Sequence, residues 1–137
     1  MAHELHAEDR QAISETLSRH GHLFDEGHLD RLGEVFTPDV VYDMSALGQG
    51  TFEGIEAIRN AARHLGADNP IAHHVTNIVI TGEEDDRATA RSKGLVILAD
   101  GTFAGVTHLD GLVRHDGAWR ISRRVITPNR TPAGGRS

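Results

Sequence analysis

Apolar positions recur with a helical period over the first part of the chain and with a period of two over its second half, so helices are expected first and a sheet after them. Ile13, Leu17, His20 and Phe24, with Leu23 beside them, fall on one face of a 3.6-residue repeat and predict a helix over residues 8–26. Gly27 ends it, and Leu29, Leu32 and Val35 share one side of a short second helix over 28–35. Thr37-Pro38-Asp39 breaks the pattern ahead of Val40-Val41-Tyr42, a short strand, and of a glycine-bearing loop over 47–54. Ile55, Ile58, Ala61, Ala62 and Leu65 then mark a third helix that stops at Gly66.

After Asn69-Pro70 every segment is strand-like and bounded by turn residues. Strands are predicted over 73–81, 88–98, 102–114 and 118–127, and Asp116-Gly117 is a dipeptide favoured in tight hairpins. This is an antiparallel meander with one face for the helices to cover. Alternation puts His73 and His74 on opposite faces, sets His108 and Asp110 on one face, and groups Trp119, Ile121, Arg123 and Val125 opposite Arg124. Asn77 falls opposite His74 unless a bulge intervenes. Residues 1–128 read as one domain and 129–137, rich in Pro, Gly and polar residues, as a mobile tail.

Composition narrows the function classes. The 137 residues carry a net charge of −6 with dispersed basic groups, which argues against a nucleic-acid partner. No apolar run approaches the roughly 18 residues that cross a bilayer, and the N-terminus lacks the features of a secretory signal, so a soluble cytoplasmic protein without a membrane partner is expected. The absence of cysteine removes disulfides, thiolate nucleophiles and thiolate metal sites. Ten histidines raise the prior for acid/base chemistry. They do not form a local chelate: His20 and His22 diverge by about 200° on a helix and His73 and His74 diverge across a strand. No phosphate-binding loop, dinucleotide fingerprint or nucleophile elbow is present, so neither metal nor cofactor is expected.

Three runs carry a resemblance. Phe24-Asp25-Glu26-Gly27-His28-Leu29-Asp30-Arg31-Leu32, with Val35-Phe36-Thr37-Pro38-Asp39-Val40 after it, is similar to the opening of SnoaL-like proteins of the NTF2-like superfamily. His73-His74-Val75-Thr76-Asn77 resembles their first long strand, and Asp116-Gly117-Ala118-Trp119-Arg120-Ile121 their last hairpin. The resemblance spans about residues 8–127 and implies an α+β fold: a cone-shaped NTF2-like barrel, with three N-terminal helices on a strongly curved, mainly antiparallel sheet around one pocket. It also implies a homodimer or homotrimer.

In the branch that includes scytalone dehydratase and bile-acid 7α-dehydratase, an aspartate ending helix 1 and a histidine on the first long strand form a proton-transfer pair. By resemblance these are Asp25 and His74. A carboxylate that holds one imidazole nitrogen fixes the tautomer and leaves the other nitrogen to remove a proton. His20, one turn before Phe24, and Tyr42 are candidate pocket donors, and His108 and Arg124 candidate substrate-binding groups. Phe24 and Met44 stand where scytalone dehydratase has tyrosines, so they join the candidate pocket wall. The expected function is a cofactor-independent lyase or isomerase, of dehydratase, double-bond isomerase or polyketide cyclase type, abstracting a proton next to a carbonyl of a hydrophobic cyclic molecule. Two alternatives share the fold: a non-catalytic binding or assembly module, and a limonene-type epoxide hydrolase, whose Asp-Arg-Asp set would have to come from Asp43, Arg91 and Asp110.

Overall fold

The computed structural model describes residues 5–129. Helix α1 spans Ala7–Asp25 and buries the predicted stripe, Ile13, Leu17, His20 and Leu23, together with Thr16 and Gly21. The second predicted helix is a single 3₁₀ segment, Leu29–Glu34, that buries Leu32. Strand β1 (Phe36–Asp43) is longer than its apolar run, since it passes through Thr37 and Pro38. It tolerates the proline because its pairing with β6 is interrupted between Phe36 and Val41. A three-residue strand β2 (Thr51–Glu53) forms inside the predicted loop, followed by α2 (Ile55–Leu65).

The meander is present as β3 (Ala72–Glu83), β4 (Arg87–Ile97), β5 (Phe103–His115) and β6 (Ala118–Pro128). Asp116 and Gly117 both take positive φ, 50° and 78°, the geometry a two-residue hairpin turn demands. The α+β class holds, but the expected cone-shaped barrel does not form. The sheet is open and mixed, in the order β2-β1-β6-β5-β4-β3, with β1 parallel to β6. Closure would need β2 to pair along β3. β2 is three residues long, and α1 lies along β3 instead. The predicted C-terminal tail lies outside the described residues beyond Asn129.

Two bulges set which side chains enter the core. Asn77 adopts φ 56° at a register shift between Thr76 and Val79, so Val75, Ile78 and Ile80 all turn toward the covered face. In β6, Ile121 pairs with Leu112 while Arg123 pairs with Gly111, leaving Ser122 as the extra residue. Trp119 and Ile121 before the bulge, and Arg124 and Ile126 after it, are therefore all buried. This corrects the simple alternation of β6: Arg123 is exposed, and Arg124 shares the covered face with Trp119.

The core lies between α1, the 3₁₀ segment, α2 and the inner sheet face, and includes Ile13, Leu17, Leu32, Val40, Ile58, Ala90, Leu112 and Ile121. The opposite face leaves Val79, Leu95, Phe103 and Leu109 exposed. Among the described residues no helix is long and apolar enough to cross a membrane. Leu17 is 1% exposed at the centre of the helix–sheet contact, so Leu17→Ala is expected to cost about 2–5 kcal/mol. Urea denaturation with an unchanged slope checks it.

Candidate active site

Helix α1 ends at Asp25, against the first turn's length of β3. The Asp25 carboxylate accepts two hydrogen bonds from one residue of that strand: from the His73 backbone N–H at 3.0 Å and from His73 Nδ1 at 2.6 Å. Since the His73 amide is given to α1, it is not given to β4, and it points off the free edge of the sheet. Both side chains are about three-quarters covered, 26% exposed for His73 and 22% for Asp25. Among the described residues the ring's other nitrogen, Nε2, has no hydrogen-bond partner.

This pairing corrects the expectation for His74. His74 is exposed, on the opposite side of β3, although it borders the same cavity. A signal for His73 was present in the alternation itself, because the apolar Val75 shares the face of His73 while the polar Thr76 shares that of His74.

Beneath the pair lies a second layer of polar groups, all buried. Arg124 and Asp110 are each 1% exposed and form a two-pronged ion pair, Nε to Oδ1 at 2.7 Å and Nη2 to Oδ2 at 2.9 Å. Arg124 Nη1 lies 3.4–3.5 Å from the two ring nitrogens of His20, and His20 Nε2 is 3.1 Å from the Tyr42 hydroxyl. The His20 ring sits among Phe24, Phe36, Tyr42 and His73, with ring centres 4.8–6.0 Å away. His108 projects from β5 with Nδ1 3.3 Å from the Ser92 hydroxyl. His20, Phe24, Tyr42, His108 and Arg124 are thus brought together, and His108 and Asp110 do share one face. Met44 packs, half-buried, against the core and does not line the cavity.

The electrostatics of this layer follow from burial. His20 is held well below the usual imidazole range, first by burial and then by the Arg124 charge. His108 is lowered to about 2 for the same two reasons in the same order. Burial raises the Tyr42 hydroxyl, with Arg124 opposing in part. Burial alone would lower Arg124, yet the Asp110 carboxylate holds it above its usual value. At neutral pH the layer therefore contains a charged guanidinium, two neutral imidazoles and a protonated phenol.

The cavity between these groups has a volume of about 20 Å³ and is lined by Leu17, Gly21, His73, Gly94, His108 and Arg124, among others. A larger groove of about 360 Å³ runs between α1 and the β5–β6 hairpin. Three of its polar groups are already engaged with one another, Asp9 with Trp119 Nε1 at 3.1 Å and with Arg114 at 3.0 Å, and it touches none of the groups above. Among the described residues no group of three or more His, Asp or Glu is placed to hold a metal ion. The set Asp43, Arg91 and Asp110 is not assembled: Asp110 is buried on Arg124, Arg91 is exposed, and Asp43 bonds the Ser45 backbone and hydroxyl.

Residues 5–125 match the SnoaL-like domain family, and the chain belongs to it, within the NTF2-like superfamily. An uncharacterised protein of Mycobacterium tuberculosis is 30% identical over 125 residues, covering 87% of this chain and 84% of that protein. Two crystal structures from Novosphingobium aromaticivorans are also similar. One, of a protein proposed as an aromatic ring hydroxylase, is 27% identical with a TM-score of 0.81, over 93% of this chain and 94% of that one. The other, described as an NTF2-like protein with a cystatin-like fold, is 31% identical with a TM-score of 0.76, over 93% and 86% of the two chains.

Two outcomes follow from the buried layer. Asp110→Ala strands the Arg124 charge and is expected to cost about 3–5 kcal/mol, whereas the double substitution Asp110→Leu with Arg124→Met recovers most of that loss. Denaturant midpoints of the three variants measure it. His20 and His108 have lowered folded-state values, so the unfolded chain binds more protons below the ordinary imidazole value of 6.5, and stability falls as pH drops through it. Between pH 6 and 4 the unsubstituted protein is expected to lose about 1 kcal/mol more per pH unit than His108→Asn, read from urea unfolding at each pH.

Proposed function

We propose that this chain is a lyase or isomerase that acts on a hydrophobic cyclic small molecule by removing a proton next to a carbonyl, with His73 as the base. The observation that carries the reading is the double hold of Asp25 on His73. One carboxylate oxygen takes Nδ1–H and the other the backbone N–H, which fixes both the ring's position and the tautomer that leaves a lone pair on Nε2. The role that the resemblance gave to His74 passes to His73, one residue earlier, and Asp25 keeps its role as orienter.

The buried layer supplies what an enolate needs. Arg124 remains charged with N–H capacity beyond its bonds to Asp110, and Tyr42 remains a protonated donor. A carbonyl oxygen lodged between them gains negative charge as the proton leaves, in a site from which water is largely excluded. His20 and His108 are neutral and orient donors or substrate without competing for the proton. Leu17, Val75 and Val96 supply apolar wall for a ring substrate. Proton transfer of this kind contributes about 10²–10⁴-fold, the remainder coming from positioning and oxyanion stabilisation. Dehydration, double-bond migration and aldol closure share the enolate step. The resemblance of the Phe24–Leu32 and His73–Asn77 runs to the scytalone dehydratase and bile-acid 7α-dehydratase branch makes dehydration the reaction to test first.

One observation favours a second reading. The cavity of about 20 Å³ is far below the roughly 300–1,000 Å³ of small-molecule sites, so a substrate must widen it, and a non-catalytic assembly module would not need to.

The two readings separate in a deuterium-exchange assay on a panel of cyclic ketones and β-hydroxyketones in D₂O, followed by proton NMR. The enzyme reading predicts that His73→Ala and Asp25→Ala each lower the exchange rate by about 10²-fold or more, while His74→Ala stays within about twofold of the unsubstituted protein. No exchange on any member of the panel, or equal rates in all four proteins, favours the assembly module.

A further inference from the structure

Gly21 lies in the interior of α1, where glycine costs about 0.5–1 kcal/mol relative to alanine, and it is buried. A side chain there would collide with the sheet. A Cβ built on Gly21 would sit 2.8 Å from the His73 carbonyl oxygen and 3.4 Å from the His73 Cβ. Gly21 is four residues before Asp25, so the two occupy one face of the helix. In a strand a residue's N–H and C=O project to the same side, and for His73 that side faces α1. The helix therefore receives both polar backbone groups of one edge residue: Asp25 bonds the amide, and Gly21 leaves room for the carbonyl. Any Cβ at Gly21 pushes the strand away at the residue whose ring must stay 2.6 Å from Asp25.

We propose that Gly21 is a positioning residue for the Asp25–His73 pair, setting the helix–strand distance at which the carboxylate can hold amide and imidazole together. The proposal deepens the reading of His73 as the base and rests on it for its functional meaning. Its structural content is tested without any substrate. In Gly21→Ala the His73 amide loses its carboxylate acceptor, so its hydrogen exchange accelerates by about 30-fold or more while β4 and β5 amides stay within about threefold. Asp25→Ala gives the same acceleration, and the Gly21→Ala, Asp25→Ala double variant exchanges no faster than either single one, because both remove one interaction.

A Gly21→Ala protein whose His73 amide exchanges as slowly as the unsubstituted one overturns the proposal, as does a double variant in which the two accelerations multiply. Should Gly21→Ala unfold in buffer, the same measurement is made on all the proteins with trimethylamine oxide added to restore the folded state. On any ketone found active, Gly21→Ala lowers kcat with little change in KM. An unresponsive ketone panel alongside the expected exchange pattern would sink the catalytic reading and leave Gly21's role standing.

Discussion

At the candidate site the last turns of α1 close over the free edge of β3 at His73. An edge strand offers unpaired N–H and C=O groups that must be satisfied or shielded. Here the amide is bonded by a side-chain carboxylate and the carbonyl is accommodated by a missing side chain on the same helix face. The same contact that covers the edge aims the His73 ring inward. The short β2 and the helix along β3 together account for a sheet that stays open while still sheltering a polar interior.

Below that contact lies the buried ion pair. Arg124 and Asp110 cost desolvation energy that their two mutual hydrogen bonds offset, and burial first, with the guanidinium charge second, holds His20 and His108 below the usual imidazole range. The result is a division of roles by depth. An imidazole about three-quarters covered sits nearer the surface, and the guanidinium with a protonated phenol sits behind it. The family shares this fold, and a function has to be argued from the residues of the site.

Much of this was legible in the sequence. The α1 stripe, the third helix and all four strands of the meander follow from periodicity and turn residues, and Asp25, His20, Tyr42, His108 and Arg124 were singled out before their neighbours were known. What periodicity could not show came from pairing and from bulges. The extra residue at Ser122 brings Arg124 to the face of Trp119, which strict alternation denies. The parallel pairing of β1 with β6 leaves no local mark, since its partners are some eighty residues apart. The resemblance points to His74, whereas Asp25 bonds His73, and adjacent residues of a strand lie on opposite faces. The apolar Val75 two residues on held the better signal. The place of Gly21 follows only from the strand beside it, whose His73 carbonyl lies where a Cβ would be.

The central claim is that Asp25 fixes His73 as the Nδ1-protonated tautomer with Nε2 free to act as base. Long-range ¹H–¹⁵N correlation spectra of the ¹⁵N-histidine-labelled protein at neutral pH measure this directly. The account predicts a His73 ring locked with its proton on Nδ1, a state abolished by Asp25→Ala, beside a His74 ring that averages between tautomers as an exposed imidazole does. A His73 ring protonated on Nε2, or one averaging like His74, would contradict it.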